Sequence, residues 1–199
     1  MAKIVQFPVP SPEKFGFKPV RKKKQGEPGR KGQLNLFTTA RVVKLNQLSS
    51  FEEALMLDEM GDTAKARELY LQAIHEKDSL ADAYCNLGII ESEARNFSKA
   101  IDCFTLCLKE EPRHFEAHYN LANQYAEIGN LPLAKVHYEM SIALEPDFPN
   151  SYFNLALTLA LNKELQPAIE ALQAYRKLVA AEDRAQADDL IKTLSMSLR

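Results

Sequence analysis

The chain has 199 residues, 26% of them charged, with no Trp, seven Gly and a net charge of −2; this is ordinary globular chemistry with room for one elongated domain. No run of about 18 apolar residues occurs, which excludes a spanning helix, and prolines break up residues 1–12 before the apolar core of a signal peptide is reached. Three cysteines are an odd count, which favours reduced thiols and a cytoplasmic location over a disulfide framework.

The net charge hides an asymmetry. Residues 1–46 carry 11 basic against two acidic side chains, a charge of +9, and the remainder carries 14 against 25, a charge of −11. The first segment is rich in Pro, Gly and Lys and has few clustered aliphatics before Leu34. It cannot bury enough apolar surface to offset its ordering entropy, so residues 1–46 are expected to be a disordered basic arm. Its end falls between Phe37 and Leu48, where Val42, Val43, Leu45 and Leu48 can begin to dock on the first repeat.

From Gln47 a 34-residue period begins: Ala66, Ala100, Ala134 and Ala168 recur, each followed four residues later by a bulky partner, Tyr70, Phe104, Tyr138 and Leu172. Leu87, Leu121 and Leu155 keep the same register, each followed by a small residue, Gly88, Ala122 or Ala156. A period of this length means stacked two-helix units, none of which can bury its apolar face alone. The units are expected at 47–80, 81–114, 115–148 and 149–182.

Local chemistry places the helix ends. Ser49 and Ser50 with Glu52 and Glu53 make a capping-box pattern for a first helix running toward Met60, and Gly61 and Asp62 make the turn after it. Pro132 and Pro167 suit the first turn of a second helix, where a missing amide costs nothing. Pro112 and Pro146 mark helix ends. Residues 183–199 place Leu190, Ile191, Leu194 and Leu198 on one face with acids elsewhere, as a capping helix requires.

The columns resemble those of the tetratricopeptide repeat family. The second unit carries Tyr84, Asn86, Leu87, Gly88, Ala100, Phe104 and Pro112 on the family pattern, with Cys107 in place of its late alanine; the third carries Tyr119, Asn120, Leu121, Tyr125, Gly129, Ala134, Tyr138 and Pro146. The first unit departs at Ser50 and Asp78, and the fourth at Tyr175, both at the ends of the stack. The resemblance implies an all-α fold: a right-handed solenoid of four helix-turn-helix units with a C-terminal capping helix.

It also implies a concave groove lined by the first helix of each unit. That lining takes Phe51 and Leu55, with Asp58 and Glu59, from the first unit, and Asp82, Cys85, Asn86 and Ile89, with Glu93, from the second. It continues through Glu116, Tyr119, Asn120 and Asn123, with Glu127, to Asn150, Phe153, Asn154 and Leu157. Apolar groups mixed with carboxylates suit a peptide bearing apolar anchors and basic residues. Asn86, Asn120 and Asn154 share one column, so their amides either form a ladder for a peptide backbone, similar to the asparagine ladders of armadillo proteins, or simply reflect the residue common there. The clamp by which similar repeats hold chaperone carboxylates needs cations, yet its positions fall on Phe51, Glu116 and Asn120, or on Cys85, Asn150 and Asn154 in the next register.

Cys103 and Cys107 lie four apart, as do His114 and His118, but their spacing does not build a zinc finger, so core filling is expected and no metal or cofactor. No nucleophile, base and oxyanion arrangement or phosphate-cradling loop is recognisable, so no enzyme is expected. In the arm, Gln33-Leu34-Asn35-Leu36-Phe37 resembles the pentapeptide by which bacterial replication proteins dock on the DNA sliding clamp. Gln33, Leu34, Leu36 and Phe37 either serve that contact or dock on the first unit. Arg21, Lys22, Lys23 and Lys24 suit nucleic acid phosphates, and the Lys14, Phe15, Phe17 and Lys18 cluster suits closure onto the acidic groove. The expectation is an adaptor for a protein or peptide partner, with no membrane association; the alternative is a DNA-metabolism accessory recruited to the clamp.

Overall fold

The computed structural model describes residues 48–197. These form nine α-helices joined by short turns: α1 (Ser50–Glu59), α2 (Thr63–Glu76), α3 (Leu80–Glu93), α4 (Phe97–Glu110), α5 (Phe115–Glu127), α6 (Leu131–Leu144), α7 (Pro149–Leu161), α8 (Leu165–Leu178) and α9 (Ala185–Ser197). A 3₁₀ turn, Ala181–Arg184, leads into α9. Each helix packs on its neighbours in sequence, and α5 also touches α3 and α7, so the first helices of successive pairs form one row of a solenoid, while α9 covers the end against α8. The expected all-α stack of helical hairpins with a capping helix is the observed one.

The periodic columns are the core. Ala66, Ala100, Ala134 and Ala168 have no exposed surface, and Tyr70, Phe104, Tyr138 and Leu172 stand beside them with at most 2% exposed. The alanines bring paired helices close, and the larger residues fill the space toward the next unit. Phe51, Ala54, Ala66 and Tyr70 of the first pair thus share one cluster with Ala83, Leu87 and Ile90 of α3.

Turns and caps repeat as well. Gly61 and Gly129 are left-handed at φ 83° and 79°, and at the equivalent places Arg95 and Lys163 adopt φ 60° and 64° despite their side chains. The next position is the N-cap of the second helix: Asp62 and Asn130 accept from the amides of Lys65 and Leu133, each at 3.4 Å. The capping box at α1 forms as expected, with Ser49 Oγ accepting from Glu52 N and Glu52 Oε2 from Ser49 N. Leu48 stands 45% exposed instead of docking.

Candidate functional site

The lining residues expected from the sequence lie on α1, α3, α5 and α7. Leu55, Asp82, Glu116, Asn123, Asn150 and Leu157 are half-buried. Phe51, Cys85, Asn86, Ile89, Tyr119, Asn120, Phe153 and Asn154 are buried, none with more than 8% exposed, so these eight offer little or no open surface. The rings meet in pairs at steep angles: Phe51 and Tyr70 tilted with centroids 5.9 Å apart, Tyr119 and Phe148 edge-on at 5.0 Å, and Phe153 and Tyr175 tilted at 5.1 Å.

The asparagine column differs from an open ladder. Asn86 Nδ2 donates to Tyr70 Oη at 3.2 Å, and Asn154 Nδ2 donates to Tyr119 Oη at 3.2 Å and to Asn123 Oδ1 at 3.0 Å. Asn120 Nδ2 reaches only Cys85 Sγ, at 3.8 Å, and its Oδ1 is buried without a partner. The cause lies one unit back. Tyr70 and Tyr138 bring hydroxyls to this layer, the second donating to Asn123 at 2.6 Å, whereas the matching Phe104 has none.

Carboxylates gather where α1 and α3 meet. Burial raises Asp58 above the ordinary carboxylate range despite a 3.4 Å hydrogen bond from Tyr70 Oη, and the Glu59 charge adds to the rise. Glu93 is raised by burial and by the charge of Asp58. The lining positions contain no Lys or Arg.

Cys103 and Cys107 do not act together, and neither do His114 and His118. Cys103 packs against the first cluster, while Cys107 meets Cys85 and Ala117 in the second. His118 joins His137, Nδ1 to Nδ1 at 3.0 Å, and donates from Nε2 to Pro112 O at 3.2 Å. The group that forms instead is Cys85, Cys107 and His114, whose ligand atoms all lie within 4.8 Å of one another. His114 caps α5 by accepting at Nδ1 from Ala117 N, 3.1 Å away, and its Nε2 lies 3.1 Å from Asp82 Oδ1. Burial opposes the charge on His114, but Asp82 and Cys107 outweigh it and hold the imidazole at about 10. The hydrogen bond with Cys85 draws Cys107 down to about 7 against its burial, with His114 adding to the effect, while burial drives Cys85 up. Sequence spacing missed this set because its members lie on α3, on α4 and at the N-cap of α5.

The pentapeptide Gln33–Phe37, the basic run at Arg21–Lys24 and the Lys14–Lys18 cluster lie outside the described residues. Among the described residues no helix is long and apolar enough to cross a membrane.

Comparisons with known proteins agree with this geometry. Residues 85–138 match the family model described as tetratricopeptide repeat. The chain is 26% identical over 132 residues to the tetratricopeptide repeat-containing protein trd-1 of Caenorhabditis elegans, a match covering 66% of this chain and 16% of that protein. It thus spans only a small part of that relative. Among solved structures, YrrB, titled a TPR protein with an unusual peptide-binding site, superposes with a TM-score of 0.67 at 18% identity, covering 78% of this chain and 79% of that one. The first TPR of Spaghetti (RPAP3), bound to the HSP90 peptide SRMEEVD, superposes at 0.54 and 18% identity, covering 59% and 94%. Residues 85–138 are therefore similar to tetratricopeptide repeats, and the same helical-hairpin fold continues on both sides of them.

Proposed function

We propose that this chain is a non-enzymatic adaptor whose inner helix row binds a peptide with apolar anchors and basic residues. The observation that carries the reading is the acidic end of the row, where half-buried Asp58 and exposed Glu93 lie close enough for the charge of Asp58 to raise Glu93, on lining positions that contain no Lys or Arg. A cation placed between them relieves that repulsion. Half-buried Leu55 and Leu157 supply apolar contacts at the two ends of the row, and Asn123 and Asn150 supply amides for a peptide backbone. The fold it shares with YrrB supports a peptide ligand in general. The HSP90 peptide held by RPAP3 ends in acidic residues, and the acidic row here carries the same sign of charge and would repel such a ligand.

The test is fluorescence anisotropy of the full chain with labelled peptides matched in apolar content, one set bearing Lys and Arg and the other Asp and Glu. Binding is expected for the basic set only, weakening as salt rises and falling at least tenfold in Asp58→Lys with Glu93→Lys. Equal affinity for both sets would remove the reading.

A further inference from the structure

Three departures from the 34-residue pattern converge on one point. Where the other units place Phe51, Tyr119 and Phe153, the second unit has Cys85; beside it, Cys107 stands in the column of Ala73 and Ser141; and His114 replaces the apolar Leu80 and Phe148. If packing alone governed this layer, an aromatic ring at position 85 would fill it as in the other three units. The second unit instead brings two thiols and an imidazole together, with ligand atoms within 4.8 Å of one another.

We propose that Cys85, Cys107 and His114 bind a thiophilic divalent cation of the zinc type, with Asp82 providing the fourth position. The donor set is two sulfurs and one nitrogen, the combination that selects such metals over hard cations. Around a tetrahedral zinc, with bonds of about 2.3 Å to sulfur and about 2.0 Å to nitrogen or oxygen, sulfur atoms sit roughly 3.8 Å apart and N and O roughly 3.3 Å apart. His114 Nε2 and Asp82 Oδ1, 3.1 Å apart, already match that edge. From the 4.8 Å bound the two sulfurs and the imidazole close in by about 1 Å to reach tetrahedral edges, and Asp82, which lies outside that group, completes the site by turning its half-buried side chain toward the sulfurs.

The surroundings suit a bound ion. Cys85 and Cys107 have no exposed surface and His114 has 4%, which keeps competing water out. Asn120 Nδ2 already points at Cys85 Sγ, the outer-shell donor a thiolate ligand requires. Glu116 Oε2 lies 3.5 Å from His114 Nδ1 and accepts the proton that this nitrogen carries once Nε2 binds metal, at the expense of the cap to Ala117 N. Binding releases two protons to solvent, one from the Cys85 thiol and one held between Cys107 and His114. The ion would clasp α3, α4 and the start of α5, tying the second helix pair to the third. This inference is independent of the peptide-binding reading.

The experiment is titration of the full, reduced chain with Co²⁺, followed by Zn²⁺. Residues 1–46 contain no Cys or His to compete. One Co²⁺ per chain is expected, with intense thiolate-to-cobalt charge-transfer absorption that equimolar Zn²⁺ abolishes. Cys107→Ala, which restores the small residue of its column, is expected to lose the absorption, and Cys103→Ser to keep it. Zn²⁺ should raise the thermal midpoint of the parent chain and not that of Cys107→Ala, the metal-free helicity of both being checked by circular dichroism. Absence of charge transfer in the parent chain overturns the proposal whatever the variants do, and so does charge transfer that survives Cys107→Ala.

Discussion

A Cβ placed on Gly88 would lie 2.7 Å from Cε1 of Phe104 and 2.9 Å from its Cδ1. The ring is fully buried and has nowhere to retreat. The matching column in later units holds Ala122 and Ala156, so this glycine is a local answer to one phenylalanine rather than a turn or a flexible joint. Gly88→Ala gains helix propensity of about 1 kcal/mol but overpacks the core by about 1–3 kcal/mol. A net loss of stability is expected in urea unfolding, and a smaller residue at 104, as in Phe104→Leu, should reduce it.

The left-handed turn predicts the opposite sign at its non-glycine members. Lys163 holds φ 64° where Gly61 and Gly129 hold 83° and 79°. A side chain in that region costs about 1–2 kcal/mol, partly returned by the greater unfolded-state entropy of glycine. Lys163→Gly is expected to stabilise the chain by about 0.5–1 kcal/mol, read as a shift in the urea midpoint. Arg95 is the less clean site, because it also reaches Glu127 at 3.8 Å and lies over the Phe97 ring.

Glu91 joins the first two helix pairs. Its side chain is 4% exposed and sits 2.7 Å from Arg67 Nη2, while Asn96 Nδ2 donates to the other oxygen at 2.8 Å. Burial alone would raise the carboxyl, but the bonds from Arg67 and Asn96 outweigh it and hold it below the ordinary range. Arg67→Ala leaves a buried carboxylate with a single donor. The expected loss is about 2 kcal/mol, less than for a fully buried pair because Arg67 is 43% exposed. Adding Glu91→Gln should recover part of it; a double-mutant cycle with zero coupling would contradict this account.

The His118–His137 contact predicts an acid weakness. His137 is held down to about 4, first by burial and then by the charge of His118, and burial lowers His118 as well. With His137 lowered in the folded state, its contribution is complete above the unfolded value of about 6.5 and is lost as pH falls toward about 4. His114 has its pKa raised and so imposes its slope above 6.5, outside this window. The stability advantage of the parent over His137→Gln is expected to shrink by about 2 kcal/mol between about pH 7 and 4.5, allowing for the partial exposure of the ring. A pH-independent difference between the two would assign the pair to packing alone.

Repetition made the architecture legible. One column of alanines and one of large apolar residues, each repeating every 34 positions, are the buried core of the folded chain. Capping chemistry placed the start of α1, and the prolines marked ends and starts to within a turn. These are local or periodic properties, written into residues whose neighbours in space are neighbours in the repeat.

The tertiary structure decided the rest. Spacing of four on one helix pairs Cys103 with Cys107 and His114 with His118, but residues four apart also point about 40° away from each other, by the 3.6-residue turn. In the stack that angle puts Cys103 and Cys107 in different clusters. Cys107 then meets Cys85 of α3 and His114 of the next cap, and His118 meets His137 of α6. The asparagine column was legible as a row. Its bonding was not, since each amide answers to the residue that the preceding unit presents: a hydroxyl at Tyr70 and a bare ring edge at Phe104. The sequence by itself determined the period and hence the stack, because period dictates which faces must be buried together; the side chains that meet across those faces depend on how the helices cross, and that exists only once the units are packed.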